Sequence, residues 1–159
     1  FGSISTHLME HSPIPVLTIP PNATFHTKYD KIAVTTSFKE ENHLAMKWIL
    51  KVTEKLKGLQ IFSVHIDTNH VQEFRSEFKD WKNKYEDKGV KSYLIDDGDF
   101  LRGVNTFCKE KRIDTLVMIT HKRDEIDRIF NKSIAKEVVF EKTTVVLAIP
   151  AKYLEEQNL

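Results

Sequence analysis

At 159 residues with 40% hydrophobic content, the chain supports one ordinary domain with a real core plus a terminal fragment of a neighbour, and not a second full domain. Lys plus Arg number 24 against 23 Asp plus Glu, so no overall field draws the protein toward nucleic acid or anionic lipid, and neither is expected as a partner. One cysteine excludes a disulfide framework, and no apolar run approaches a membrane span; with no basic segment leading into a hydrophobic stretch at the start, the cytoplasm is the expected location.

From the N-terminus, Ile4, Leu8 and His11 fall at helical spacing, and Pro13 and Pro15 stop that helix before the apolar run Val16 to Ile19, which reads as a strand. Pro20, Pro21, Asn22 and Thr24 make a stiff polar connection, a linker over 21–30. The β-branched run from Lys31 to Thr36 predicts a buried strand. Leu44, Ala45, Trp48, Ile49, Val52 and Leu56 then repeat every three or four residues, a helix closed by Gly58. Ile61 to Ile66 is a second strand, Val71 to Tyr85 a helix with an aromatic stripe closed by Gly89, and Tyr93 to Ile95 a third strand. Phe100 to Lys111 is a helix that carries Leu101, Val104 and Phe107 inward, with Cys108 beside them as a small buried hydrophobe. Thr115 to Ile119 is a fourth strand, Ser133 to Phe140 a helix, Thr144 to Ile149 a fifth strand, and 152–159 a tail. Alternation of this length predicts an α/β three-layer sandwich: a five-stranded parallel sheet with helices on both faces over residues 31–151. Ligands in such sheets sit beyond the carboxyl ends of strands where strand order reverses, here the turns after Thr36 and Ile119.

The chain also repeats itself. FGSISTHLMEHSPIPVLTIP (Phe1 to Pro20) lies without a gap on NKSIAKEVVFEKTTVVLAIP (Asn131 to Pro150), placing Ser3 on Ser133, Ile4 on Ile134, Val16 on Val146, Leu17 on Leu147 and Pro20 on Pro150. Residues 1–20 therefore read as the last helix and strand of a preceding, similar lobe. Burying each of Ile4, Leu8, Val16, Leu17 and Ile19 is worth ~1.5–3 kcal/mol, so this remnant is expected to dock.

KIAVTTSFKEEN (Lys31 to Asn42) resembles the opening strand and turn of a universal stress protein domain, IDTLVMITHKRDEIDRIFNKSIAKEVV (Ile113 to Val139) its fourth strand, phosphate loop and last helix, and TTVVLAIP its closing strand. The resemblance runs along nearly the whole chain and implies the nucleotide-binding-like fold of that family, in the C-terminal part of a tandem two-domain member. It further implies pairing of closing strands, Val16 to Ile19 with Thr144 to Ile149, either with the chain's own upstream lobe or across a homodimer.

Family members that bind ATP use glycine, two residues, glycine, nine residues, glycine, then Ser or Thr, because main-chain N–H groups must approach the phosphates where a Cβ would obstruct. Laid on this sequence, those glycine positions are Ile119, Lys122 and Lys132, followed by Ser133; Thr120 and His121 remain as in the family. An Asp that the family places after the first strand, at the base or ribose, is Ser37 here. The expectation is a degenerate pocket over Ser37, Ile119, Thr120, His121, Lys122, Lys132 and Ser133, with no cofactor. Ser37 with Glu40 three residues on reads as a capping box worth ~1 kcal/mol. The alternative is a nucleotide sensor or weak ATPase, holding ATP, ADP or AMP through a loop in which Lys122, Lys132 and Ser133 replace the glycine cradle, Lys122, Arg123, Arg128 and Lys132 being a candidate anion cluster beside the helix start at Ser133.

His7-Leu8-Met9-Glu10-His11 has the H-x-x-E-H spacing of one metalloprotease class, but Pro13 stops the helix at once and no third ligand converges, so no metal site is assigned. His65 and His70 flank a strand end near Asp67 and read as loop solvation. No residue pair supplies a nucleophile with a base and an orienting group. The expected function is therefore a universal-stress-protein-like stress-response module that acts by binding and dimerisation, not an enzyme.

Overall fold

The computed structural model describes residues 7–9, 11–21, 23, 30–68, 74–120 and 144–157. Its strands are β1 (Val16–Thr18), β2 (Lys31–Thr35), β3 (Gln60–Asp67), β4 (Val90–Asp96), β5 (Thr115–Thr120) and β6 (Val145–Pro150); its helices are α1 (Glu40–Thr53), α2 (Arg75–Glu86), α3 (Phe100–Lys111) and α4 (Ala151–Glu155). The predicted helix over 133–140 and most of the linker lie outside the described residues.

One sheet runs in the order β1-β6-β5-β2-β3-β4. Its β2 is parallel to β3 on one side and β5 on the other, β3 is parallel to β4 and β5 to β6, while β1 is antiparallel to β6. The chain thus winds outward from β2 through β3 and β4, then returns to β5 and β6, so strand order reverses between β2 and β5. Asp114 fixes that junction from below: its Oδ2 accepts the N–H groups of Asp30 and Lys31 at 3.1 and 3.0 Å, tying the start of β2 to the start of β5.

The sheet has six strands rather than the five expected. The helix-strand remnant is not a separate body, because Val16, Leu17 and Thr18 pair with Ala148, Leu147 and Val146 and cover an edge of β6 that would otherwise present unpaired N–H and C=O groups. Apolar periodicity identifies a strand but does not say which edge it joins. The remnant is also less deeply buried than its composition predicts. Met9 is 1% exposed and packs with Val146 and Ala148, yet Leu8, Leu17 and Ile19 remain 51%, 54% and 44% exposed.

Side-chain alternation along the strands divides the core into two layers. On one face Phe62, Val64, Ile66, Leu116, Met118, Val146 and Ala148 meet Val104, Phe107 and Cys108 of α3. On the other, Val34, Ile61, Val117 and Ile149 meet Ala45, Met46 and Ile49 of α1, Trp81 and Tyr85 of α2, and Leu154 of α4. The second layer corrects two readings. Val52 and Leu56 are 50% and 57% exposed because the buried face of α1 runs through Ala45, Met46, Ile49 and Thr53 and Leu56 lies past the helix end, and the expected tail contains a helix whose Leu154 is fully buried. Gly58 and Gly89 take φ of 83° and 79° in the turns entering β3 and β4, a conformation that disfavours other residues.

A polar thread crosses the second layer. Trp81 Nε1 donates to Ser63 Oγ at 2.9 Å, and Ser63 Oγ donates to Ser92 Oγ at 2.9 Å. Ser63→Ala leaves the buried indole N–H without an acceptor and is expected to destabilise the fold by about 1–3 kcal/mol in urea unfolding followed by tryptophan fluorescence.

Candidate functional site

Because β2 is hydrogen-bonded on both sides, its chain must leave the sheet at the carboxyl edge, where strand order reverses. The β2–β5 ladder runs from Ile32–Thr115 to Val34–Val117, and Thr35 Oγ1 adds a bond to the Val117 carbonyl at 3.3 Å. Thr36 and Ile119 therefore sit two residues past the last paired residues on adjacent strands, and the turn Thr36 to Lys39 forms one wall of the crevice.

That turn is closed by its own hydrogen bonds. The buried Asn42 side chain accepts from Ser37 N–H, Ser37 Oγ–H and Lys39 N–H through Oδ1, each at 3.0 Å. Phe38 N–H donates to Thr36 Oγ1 at 3.0 Å, and Thr36 N–H donates to the Val64 carbonyl at 3.0 Å. All four main-chain N–H groups from Thr36 to Lys39 are thereby spent. The expected Ser37–Glu40 capping box does not form. Lys39 is the N-cap, and Asn42, at the third helical position, reaches back to it, since one carboxamide oxygen can collect three donors that a serine placed outside the helix cannot reach.

Phe38 adopts φ of 63°, a strained conformation for a non-glycine residue, and its ring turns inward. It lies against His65 (centroids 4.8 Å apart), Trp81 (5.8 Å), Phe78 (6.2 Å) and Phe74 (6.4 Å). His65, read from sequence as loop solvation, is instead 7% exposed, because residues 61, 63 and 65 share the α1–α2 face of β3. Its Nδ1–H donates to the Thr36 carbonyl at 2.6 Å, which leaves Nε2 as an acceptor. Among the described residues Nε2 is the buried side-chain polar atom without a partner, and Phe74 flanks the ring at 4.7 Å.

Of the other residues expected at this crevice, Ile119 and Thr120 end β5, opposite Ile149 and Pro150, and Ile119 packs against the Val34–Ile149 layer. His121, Lys122, Arg123, Arg128, Lys132 and Ser133 lie outside the described residues. The first turn of α1 carries Glu40 and Glu41, which complement the helix dipole. No group of three or more His, Cys, Asp or Glu among the described residues is placed to hold a metal. His7 and His11 stack with centroids 4.1 Å apart, and His11 Nδ1 donates to the His7 carbonyl at 2.9 Å. Cys108 is buried in the α3 layer, and burial pushes its thiol up to about 12. Sequence reasoning missed Asn42 and Phe38. The available signal was an asparagine two residues after Glu40 in a turn free of glycine.

Behind the turn, His43 Nδ1 lies 2.8 Å from the Tyr85 hydroxyl, and Trp81 covers the imidazole at 4.8 Å. Burial, then the nearby Lys84, lowers the His43 pKa below its ordinary 6.5; burial, then Glu40, raises the Tyr85 phenol to about 12. A histidine with a depressed pKa stabilises the fold fully above its unfolded value, and the contribution declines as pH falls below 6.5, where the unfolded chain takes up the proton first. His43→Gln is expected to flatten the fall in unfolding free energy between about pH 7 and about pH 5, measured by denaturant titration across that range. Asn42→Ala removes the shared acceptor and is expected to cost about 1–3 kcal/mol, while Asn42→Asp, which keeps the oxygen, costs less in the same assay.

No family model matches the chain, and no curated protein does. Solved structures do. A universal stress protein from Archaeoglobus fulgidus DSM 4304 superposes with a TM-score of 0.72 at 15% identity over 94% of this chain and 54% of that one, so the chain spans about half that protein's length. A second universal stress protein from Archaeoglobus fulgidus gives 0.54 at 18% identity over 76% of this chain and 93% of that one. The U34-tRNA thiolase NcsA from Methanococcus maripaludis gives 0.50 at 13% identity, over 78% and 51%. The chain has the fold of the universal stress proteins, here a six-stranded, mostly parallel sheet with helices on both faces.

Proposed function

We propose that the chain is a universal-stress-protein-like module of a cytoplasmic stress response that acts by binding and association, without catalysis and without an ordinary ATP site in its complete lobe. The observation that carries this reading is the turn after β2. Its four main-chain N–H groups are committed to Val64, Thr36 and Asn42, Phe38 fills the space beyond β2 and β3 with an aromatic ring, and Glu40 and Glu41 stand at the adjacent helix start. Opening this turn to the base or ribose that the resemblance implies at Ser37 would break several of these bonds, and each buried group left unpaired costs ~1–3 kcal/mol. Chemistry of the kind named for the thiolase is disfavoured by composition, since iron–sulfur clusters are held by several thiolates and this chain has one cysteine, buried and protonated.

One observation favours the nucleotide-sensor alternative. His65 Nε2 is an unspent acceptor between two aromatic rings, the wrong sign for a phosphate and the right sign for an N–H group of a base. Mass spectrometry of the supernatant released by heating the purified protein, paired with calorimetric titration of Mg-ATP and AMP, separates the two readings. The expected result is no co-purifying nucleotide and no saturable heat. Stoichiometric ATP, ADP or AMP would replace the proposed reading with the sensor.

A further inference from the structure

The helical turn that precedes β1 presents two histidines to solvent. His7, Leu8, Met9 and His11 are helical, and Ser12 N–H donates to the Leu8 carbonyl at 2.9 Å. Met9, 1% exposed and packed with Val146 and Ala148, fixes which side of the turn faces the sheet, while His7 and His11 are both exposed. A spacing of four residues by itself says only that two side chains share a helix face.

Two observations go further than spacing. The imidazoles are stacked, with centroids 4.1 Å apart and 26° between their planes, so the rings lie side by side rather than splayed. An ion held by two imidazole nitrogens at its usual bond length needs those nitrogens roughly 3–4 Å apart, which rings at this separation can supply. The second observation is the tautomer. A carbonyl oxygen only accepts, so His11 Nδ1 is the donor in its 2.9 Å bond to the His7 carbonyl, and the neutral ring carries its lone pair on Nε2. Metal-binding histidines are oriented in this way, one ring N–H given to a carbonyl and the other nitrogen turned to the ion.

We infer that His7 and His11 form a two-imidazole site for a late first-row transition ion, Cu(II) ahead of Ni(II) and Zn(II), with water completing the coordination. Magnesium and calcium, which take oxygen ligands, are excluded by the donor set. The site captures an ion and does not hydrolyse, because catalytic zinc takes three protein ligands and among the described residues no group of three or more His, Cys, Asp or Glu converges. Bound metal ties residues 7 and 11 across the turn. The next residue continues the tie toward β1: Ser12 Oγ–H donates to the Ile14 carbonyl at 2.8 Å and Ile14 N–H donates to Ser12 Oγ at 3.2 Å.

The test uses the full chain without an affinity tag and copper(II) chloride as the probe, in calorimetric titration with a weak competing ligand in the buffer. One Cu(II) per chain is expected, with weaker binding of Ni(II) and Zn(II) and none of Mg(II). His7→Gln and His11→Gln are each expected to weaken Cu(II) binding at least about tenfold with the melting temperature of the metal-free protein unchanged, since either leaves a single imidazole. Electron paramagnetic resonance of the copper form is expected to show coupling to two imidazole nitrogens, and amide exchange at Ser12 to slow when the ion is added. Ligation needs unprotonated imidazole, so affinity is expected to fall between about pH 7.5 and about pH 5.5. No saturable binding below about 100 µM copper overturns the proposal. So does equal affinity in both variants, which places the ion elsewhere, or a loss confined to one variant, which leaves a single-imidazole site.

Discussion

The carboxamide oxygen of Asn42 closes the turn that follows β2. A strand paired on both edges, as β2 is, delivers its following turn to the one place in a doubly wound sheet where ligands collect, and main-chain N–H groups there are the usual anion donors. In this chain Asn42 gathers three donors, Thr36 takes a fourth through its hydroxyl, and Val64 takes a fifth from the neighbouring strand. Closure of the turn forces Phe38 into the left-handed region, and the ring joins His65, Phe74, Phe78 and Trp81 at the carboxyl end of the sheet. One polar interaction thereby ties the backbone of the turn to the aromatic packing behind it.

Much of the architecture was legible because it depends on periodicity. β-branched runs located the five parallel strands to within a few residues, and α3 falls on the predicted Phe100 to Lys111. What periodicity does not encode is partnership. The strand at Val16 was recognisable as a strand by its pattern, while its pairing with the closing strand came from the family resemblance, since no local pattern specifies an antiparallel register. The exposure of Val52 and Leu56 follows from which residues form the buried face of α1, and Leu154 is buried beside the place where Tyr153 meets Trp48 edge-on at 6.2 Å. In the site, the absence of glycine at Ile119 and of aspartate at Ser37 was readable from sequence, whereas the turn's actual architecture was not. Serine is the commoner N-terminal cap, and only the fold shows that Asn42 collects the donors from inside the helix. His65 was misread for a related reason: a histidine at a strand end looks solvated until alternation places it on the α1–α2 face.

The likeness to universal stress proteins is a likeness of fold, at 15% and 18% identity. That separation is expected physically. Volume, pattern and hydrogen-bond satisfaction specify the sandwich, and many sequences meet those demands, while a phosphate site needs particular small residues at particular turns. A lobe relieved of the second demand can fill its crevice with aromatic rings and gain packing. On the proposed reading, association is the property that such a lobe keeps.

The measurement closest to the central claim is residue-resolved amide hydrogen exchange at Ser37, Phe38 and Lys39, in the free protein and with saturating Mg-ATP. If the turn's donors are internally committed, those amides exchange slowly in the free protein and their rates do not change with nucleotide. Fast exchange in the free protein that slows when Mg-ATP is added would mean that the donors stand open to a ligand and that Asn42 does not close the crevice.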